Sequence, residues 1–325
     1  MENLLKSGYL CHPQQAYTLR KVTVAEGRAK GTTVIEICTA GGLQVDLLPD
    51  AGLDIGQVRF RGTNMSFISK NGFDSPALVN VCENEFLHFF PGGMLYTCGL
   101  RSTGRANLDG GEMHPQHGRY HSLMAEQVSA TMENDVITVS GIMREAGLFG
   151  TVLELKRTIQ IPVFGSEITV SDTLTNLTHR DEEYALLYHC NFGYPMLSEK
   201  AHLELPQQRR SYARSAFAKE MLGQECTVSA PVPNEPERCF FHEDMEHTAS
   251  VVNPAIGTKA TLTWSDTLPV LVQWRSMASG DYALGLEPTN CYLLGRNKER
   301  ENGTLPVLKP FESITTSVKF SFQAI

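Results

Sequence analysis

The chain has 325 residues, of which 42% are hydrophobic and 20% charged, with a formal net charge of -8. That composition supports a large folded core and excludes a disordered chain. The acidic balance disfavours an electrostatic grip on nucleic acid or anionic membrane, which draws on clustered Lys and Arg, so a small neutral molecule is the expected partner.

No run of roughly 18 apolar residues escapes interruption by charge, so no helical membrane span is expected. The opening segment Met1 to Leu10 lacks a basic stretch followed by an apolar one of leader length, which points to a cytoplasmic protein. Eight cysteines (Cys11, Cys38, Cys82, Cys98, Cys190, Cys226, Cys239 and Cys291) include no Cys-x-x-Cys pair, and several sit in apolar runs. They read as reduced core thiols.

Alternating apolar and polar residues predict strands over 33–38, 43–48, 136–140, 151–156, 167–170, 260–264 and 315–322. Turn residues separate them, as in Ala40-Gly-Gly42, Glu133-Asn-Asp135 and Phe164-Gly-Ser166. Helical periodicity is rare, with 212–222 the best short candidate, and no alternation of strand and helix appears. The expected fold is all-β: a large antiparallel β-sandwich with few short helices, built as one domain over 1–325, with 1–30 an N-terminal extension packing on it. A sandwich of that size has a concave face where a ligand can sit.

Two segments carry chemistry. Leu186-Leu-Tyr-His-Cys-Asn-Phe-Gly-Tyr-Pro195 places His189 at the end of an apolar run, and Ala283-Leu-Gly-Leu-Glu-Pro-Thr-Asn290 does the same for Glu287. A carboxylate and an imidazole on a β scaffold can address one ligand from two sides, the layout of general acid-base chemistry. The plainer alternatives are a Glu that ends a strand before Pro288 and a satisfied core histidine. A third segment, 110–121, supplies His114, His117 and His121 beside Arg119. Pro115 and Gly118 make it a loop rather than a helix, and no zinc-enzyme carboxylate motif accompanies it, so a hydrogen-bonding cradle is favoured over a metal site. Trp274 stands either as a stacking platform or as core, with Gln273 and Arg275 alternating to the other face. Asp54 reads as a turn or bulge residue accepting backbone amides, with contact to a ligand hydroxyl as the alternative.

In order and content these segments resemble the aldose 1-epimerase (galactose mutarotase) superfamily, and within it the aldose 1-epimerase-like branch. His117-Gly118-Arg119 is similar to the superfamily's His-Gly motif, whose histidine binds the sugar near its ring oxygen. Val170 to Leu177 resembles the strand ending in Asn before the second histidine. His189 with Asn191-Phe192 resembles the segment whose histidine is the general acid, and Glu287-Pro288 the Leu-Glu-Pro motif whose glutamate is the general base. Leu308 to Ile314, followed by the strand ending at Phe322, looks like the closing segment. The resemblance covers most of the chain from Gly31 onward.

It implies a galactose mutarotase-like supersandwich and an isomerase that interconverts anomers of a monosaccharide or sugar derivative. His189 and Glu287 would be the proton carriers, and His117, Arg119, Arg101, Asn191 and Trp274 the substrate cradle. It implies neither metal nor cofactor, a small-molecule sugar as partner, and is compatible with a homodimer. Two positions depart from the pattern. Hexose-6-phosphate mutarotases, a sister branch, carry Arg before a Gly-Gly pair comparable to Gly92-Gly93, where this chain has Pro91; the sugar-binding Arg is therefore sought at Arg101 or Arg119. The family's aspartate between the second histidine and the glutamate has no match, although Glu243, Asp244 and Asp266 lie in that interval. The competing readings are a non-catalytic carbohydrate-binding or sensor protein on the same fold and a lyase or glycosidase. The latter is disfavoured because a glycosidase needs two suitably spaced carboxylates.

Overall fold

The computed structural model describes residues 2–78, 82 and 85–325. Among them, an eleven-stranded and an eight-stranded antiparallel sheet stack face to face, accompanied by two two-stranded ribbons. Among the described residues the helices are short, none exceeding the seven residues of Arg296–Asn302, and no helix is long and apolar enough to cross a membrane. The all-β sandwich expected from the alternating pattern is what the chain forms.

The larger sheet starts at an edge strand, Tyr17–Thr23, which the N-terminal segment supplies and which pairs with Thr33–Thr39. Its centre runs Asp54–Phe60, Leu95–Leu100, Ala185–Phe192, Ala283–Thr289, Val270–Ser276 and Arg238–Glu243, ending at Arg210–Ala213. The smaller sheet carries the strands with the cleanest alternation, such as Glu167–Asn176, in which every second residue is buried. Period two turns Ile168, Val170 and Leu174 inward, where they meet Leu186, Cys190 and Phe192 of the facing sheet in one apolar core. Burying each such side chain contributes about 1.5–3 kcal/mol.

One local expectation is corrected. The helix sought over 212–222 is a strand, Arg210–Ala213, followed by a four-residue helix, Ala216–Lys219. Arg210 to Ala213 pair with Arg238–Glu243 at the sheet edge, and Ser215 caps the helix by accepting from the Ala218 amide, so the helix cannot extend back into 212–213.

A polar cluster bridges the two sheets. Arg157, fully buried in the smaller sheet, donates to both oxygens of Asp172 on the neighbouring strand at 2.9 and 2.7 Å. It also reaches across to Asp54 Oδ1 at 2.6 Å and to Thr97 Oγ1 at 2.9 Å in the larger sheet. Tyr188 donates to Asp172 at 2.6 Å, and Asp54 accepts the Thr97 amide at 2.8 Å. Asp54 thus accepts a backbone amide, as its sequence context suggests, but its main partner is a guanidinium from the opposite sheet. Burial pushes its carboxyl up to about 6 against the pull of Arg157.

Removing one member of such a cluster strands the others as buried charges. Arg157→Met should therefore lower unfolding free energy by about 3–5 kcal/mol, read as a fall in the urea midpoint; a change under about 1 kcal/mol would show that the cluster is not a structural tie.

Candidate active site

Ala185–Phe192 and Ala283–Thr289 are adjacent strands at the middle of the larger sheet, and every residue in both is buried. Leu186, Tyr188, Cys190, Leu284 and Leu286 face the inter-sheet core. The opposite face carries Leu187, His189, Asn191, Gly285 and Glu287, covered by a second apolar cluster that includes Phe90, Tyr96, Phe241, Val272 and Leu293. A strand buried on both sides reads as a continuous apolar run, which is why both segments look core-like in sequence.

The register pairs Cys190 with Leu286 and Asn191 with Gly285, so His189 stands directly across from Glu287. Their side chains project into a cleft of about 910 Å³. His189 Nε2 lies 3.2 Å from Glu287 Oε1, close but not hydrogen-bonded: Glu287 Oε1 and His189 Nδ1 are both buried without a partner. Gly285 keeps the space beside them open, since a Cβ there would meet Glu287 Oε1 at 2.4 Å and His189 Cε1 at 3.2 Å. Around the pair, Trp274 and Phe90 stand 5.5 and 5.2 Å from the His189 ring.

His117 completes this group, 6.1 Å from His189 between ring centroids. Its loop is clamped to the end of Leu95–Leu100, with the His117 amide donating to Gly104 and its carbonyl accepting from Gly99. Gly118 permits that approach: it has φ +77, and a Cβ would meet Gly99 O at 2.3 Å. His117 Nδ1 is also buried without a partner. Native interiors rarely leave polar atoms unsatisfied, and their concentration here marks a place built for a polar ligand.

Burial sets the charge state. It drives the His189 imidazole down to about 3, aided by neighbouring His117 and opposed by Asn191. It drives His117 down to about 4, with Arg214 adding to the effect. Glu287 is raised well above the ordinary carboxyl range by burial and by Glu237, against the pull of Arg214. Both shifts run toward the uncharged forms, a neutral imidazole and a protonated carboxyl.

Of the residues singled out from sequence, His189, Glu287, His117 and Trp274 line this cleft. Trp274 faces the site rather than the core, its indole N–H donating to Glu237 at 2.8 Å, while Gln273 and Arg275 lie buried on the other face. Asn191 is fully buried and works on the backbone, donating to the Gly93 and His189 carbonyls. Arg119 and Arg101 require correction. Arg101 is held by Glu112 at 2.5 Å, Arg119 by Glu112 and the Met113 carbonyl, and neither lines the cleft. Its arginines are Arg105 and Arg214, and the carboxylate in the interval between His189 and Glu287 is Glu237. All three lie in loops or at strand ends, where no periodic pattern announces direction.

His114, His117 and His121 do not converge: His121 stacks on Tyr96 at 4.9 Å beside a separate apolar cavity, and His114 ends the ribbon strand Glu112–His114. Among the described residues no group of three or more His, Cys, Asp or Glu is placed to hold a metal ion. All eight cysteines are free, and Cys239 at the cleft is pushed up to about 12 by burial, an unreactive thiol.

The family model described as "Domain of unknown function (DUF4432)" matches residues 29–322. No protein of curated function matches the sequence. The fold is shared with a candidate aldose 1-epimerase from Klebsiella pneumoniae (TM-score 0.88, 23% identity, 94% of this chain and 83% of that one). It is shared also with a galactose mutarotase-like protein from Clostridium acetobutylicum (TM-score 0.68, 13% identity, 96% and 100%). Galactose 1-epimerase from Lactobacillus acidophilus NCFM gives a TM-score of 0.62 at 12% identity, over 95% and 99% of the two chains. At these identities the likeness establishes the galactose mutarotase-like fold and leaves the chemistry to the cleft.

With folded values below the usual 6.5, the rings of His117, His121 and His189 should all remain neutral at about pH 5.5. Imidazole ¹⁵N shifts measured across pH 5 to 7 test this; a ring titrating near 6.5 would mean that the cleft is far wetter than its packing implies.

Proposed function

The chain belongs to the DUF4432 family, and we propose that it is an aldose 1-epimerase-like isomerase that interconverts the anomers of a monosaccharide or sugar derivative by general acid-base catalysis. The observation that carries this reading is the cross-strand pair: an imidazole and a carboxylic acid 3.2 Å apart, each with a buried polar atom left unpartnered, at the floor of one cleft. A module that only binds sugar needs hydrogen bonds and stacking. It does not need two matched proton carriers side by side.

Anomer exchange begins when a base removes the C1 hydroxyl proton while an acid protonates the ring oxygen, breaking the bond from C1 to that oxygen. Rotation about C1–C2 and closure on the other face run the same transfers backwards. The pair therefore needs one shared proton, whichever group holds it at rest. With Glu287 protonated and His189 neutral, His189 Nε2 accepts from the C1 hydroxyl and Glu287 donates to the ring oxygen. With the proton on His189 the roles exchange, and Glu287 is the base as the family resemblance implies. Burial favours the first arrangement and Arg214 pulls Glu287 toward the second. His117 would steady the ring oxygen, and Trp274 offers an aromatic face to the sugar's C–H surface. The transfers call for no redox cofactor.

Glu287→Gln and His189→Asn should each lower kcat by roughly 10²- to 10⁴-fold with a smaller change in KM. Gly285→Ala should lower kcat too, because its methyl invades the space beside Glu287 Oε1. NMR saturation transfer between anomers, run over a panel of sugars, measures all three; near-normal kcat in Glu287→Gln would remove the acid-base assignment in favour of a binding protein.

The pH profile follows from the same pair. Its single proton is lost only as pH rises through the elevated value of Glu287, and a second is gained only as pH falls through about 3 at His189. The kcat/KM profile should therefore show no loss of rate as pH falls through about 6.5. A loss on the acid side there would assign the base to an ordinary, solvated histidine.

A further inference from the structure

Among the described residues, the cleft holds two guanidiniums that form no ion pair with a carboxylate. Elsewhere in the chain Arg101, Arg119, Arg210, Arg238, Arg296 and Arg300 each pair with a nearby Asp or Glu. Arg105 and Arg214, both lining the cleft and both exposed, are not so paired among the described residues. Among the described residues the Arg105 guanidinium has no ion pair or hydrogen-bond partner. Arg214 is positioned rather than neutralised: it donates to the carbonyls of Tyr292 and Leu293 and lies 4.7 Å over the Phe241 ring. In a chain with 36 acidic and 28 basic residues, two arginines without a carboxylate partner at one cleft set up a local positive field that can attract an anion.

Their placement is shared. Gly104 forms a bridge with Leu294, so the segment bearing Arg105 packs on the 292–294 stretch whose carbonyls orient Arg214. Both side chains line the cleft that also holds His189 and Glu287. The opposing charge is Glu237, whose carboxylate accepts the Trp274 indole N–H. Burial favours the neutral form of Glu287. Two exposed guanidiniums then face one exposed carboxylate, Glu237, inside an acidic protein.

Resting on the reading of this cleft as a sugar site, we infer that its substrate is a monosaccharide bearing an anionic oxygen group, a carboxylate or a phosphate, gripped by Arg105 and Arg214 while C1 faces the proton carriers. The whole-chain charge points to a neutral partner, but distant exposed charges are screened beyond roughly 10 Å, and contact with a guanidinium fork decides instead. Arginine presents parallel N–H donors that match either anion in bidentate fashion.

The test is equilibrium binding by titration calorimetry, at low and at raised ionic strength, of glucose, galactose, glucuronate, galacturonate and glucose 6-phosphate to the intact protein and to Arg105→Gln, Arg105→Lys and Arg214→Gln. The expected result is at least one anionic sugar bound about tenfold or more tighter than its neutral parent. That ratio should narrow with salt, collapse toward unity in Arg105→Gln and survive only in part in Arg105→Lys, which keeps the charge without the fork. Preference for the uronates or for the phosphate identifies the group. Equal affinity for neutral and anionic sugars, a preference that survives both Gln variants, or no binding of any of the five overturns the inference. Arginine-dependent binding of an anionic sugar without anomer exchange would instead retire the isomerase reading and leave the anion selectivity standing. Exchange on neutral sugars with no anionic preference would do the reverse.

Discussion

Arg157 is the tie on which the architecture depends. A sandwich of this size could slide or splay if only apolar contacts joined its sheets, because the hydrophobic effect has no direction. A guanidinium with fixed donor geometry does. Arg157 joins Asp172 in its own sheet to Asp54 and Thr97 in the other, and Tyr188 closes the cluster from the middle of the larger sheet. Burying these charges gains little over well-packed apolar residues. What it specifies is register, since the donors are satisfied in only one alignment.

Register in turn decides the cleft. Tyr188 precedes His189, and Thr97 follows Tyr96, on paired strands whose two faces alternate. Holding Tyr188 and Thr97 inward obliges His189 and Tyr96 outward. A slip of one residue would exchange them and put the imidazole into the core. The same alternation sets Glu287 opposite His189. Because these neighbours sit on rigid central strands, the pair is held at a fixed separation without any hydrogen bond between its members, which leaves their polar atoms available.

Depth explains both the chemistry and its charge balance. A second apolar layer over the sheet excludes water from His189 and Glu287 and so drives both toward neutrality. An isolated buried ion there would be prohibitive. A shared proton is not, because moving it from one group to the other leaves the site's total charge unchanged. The charged side chains stand further out, in loops, where solvent lowers their cost and where they can meet a ligand before it reaches the floor.

Several features were legible from the residues alone. Alternation over 33–38, 43–48, 167–170 and 260–264 specified half-buried strands, since period two is a local property of an extended chain, and the all-β class follows. The runs around His189 and Glu287 declared themselves by placing one polar residue in an apolar setting. Tertiary structure decided what locality cannot carry. Arg119 sits beside His117 in sequence yet turns to Glu112, whereas Arg105, Arg214 and Glu237, from separate segments, gather at one cleft. Loop side chains take their direction from whatever packs against them. The partnership of Arg157 with Asp54 is likewise invisible at a separation of 103 residues. Sequence determined which residues lie on strands and which strand positions are anomalous; only the folded chain, through strand pairing and sheet stacking, decided which of those anomalies face each other.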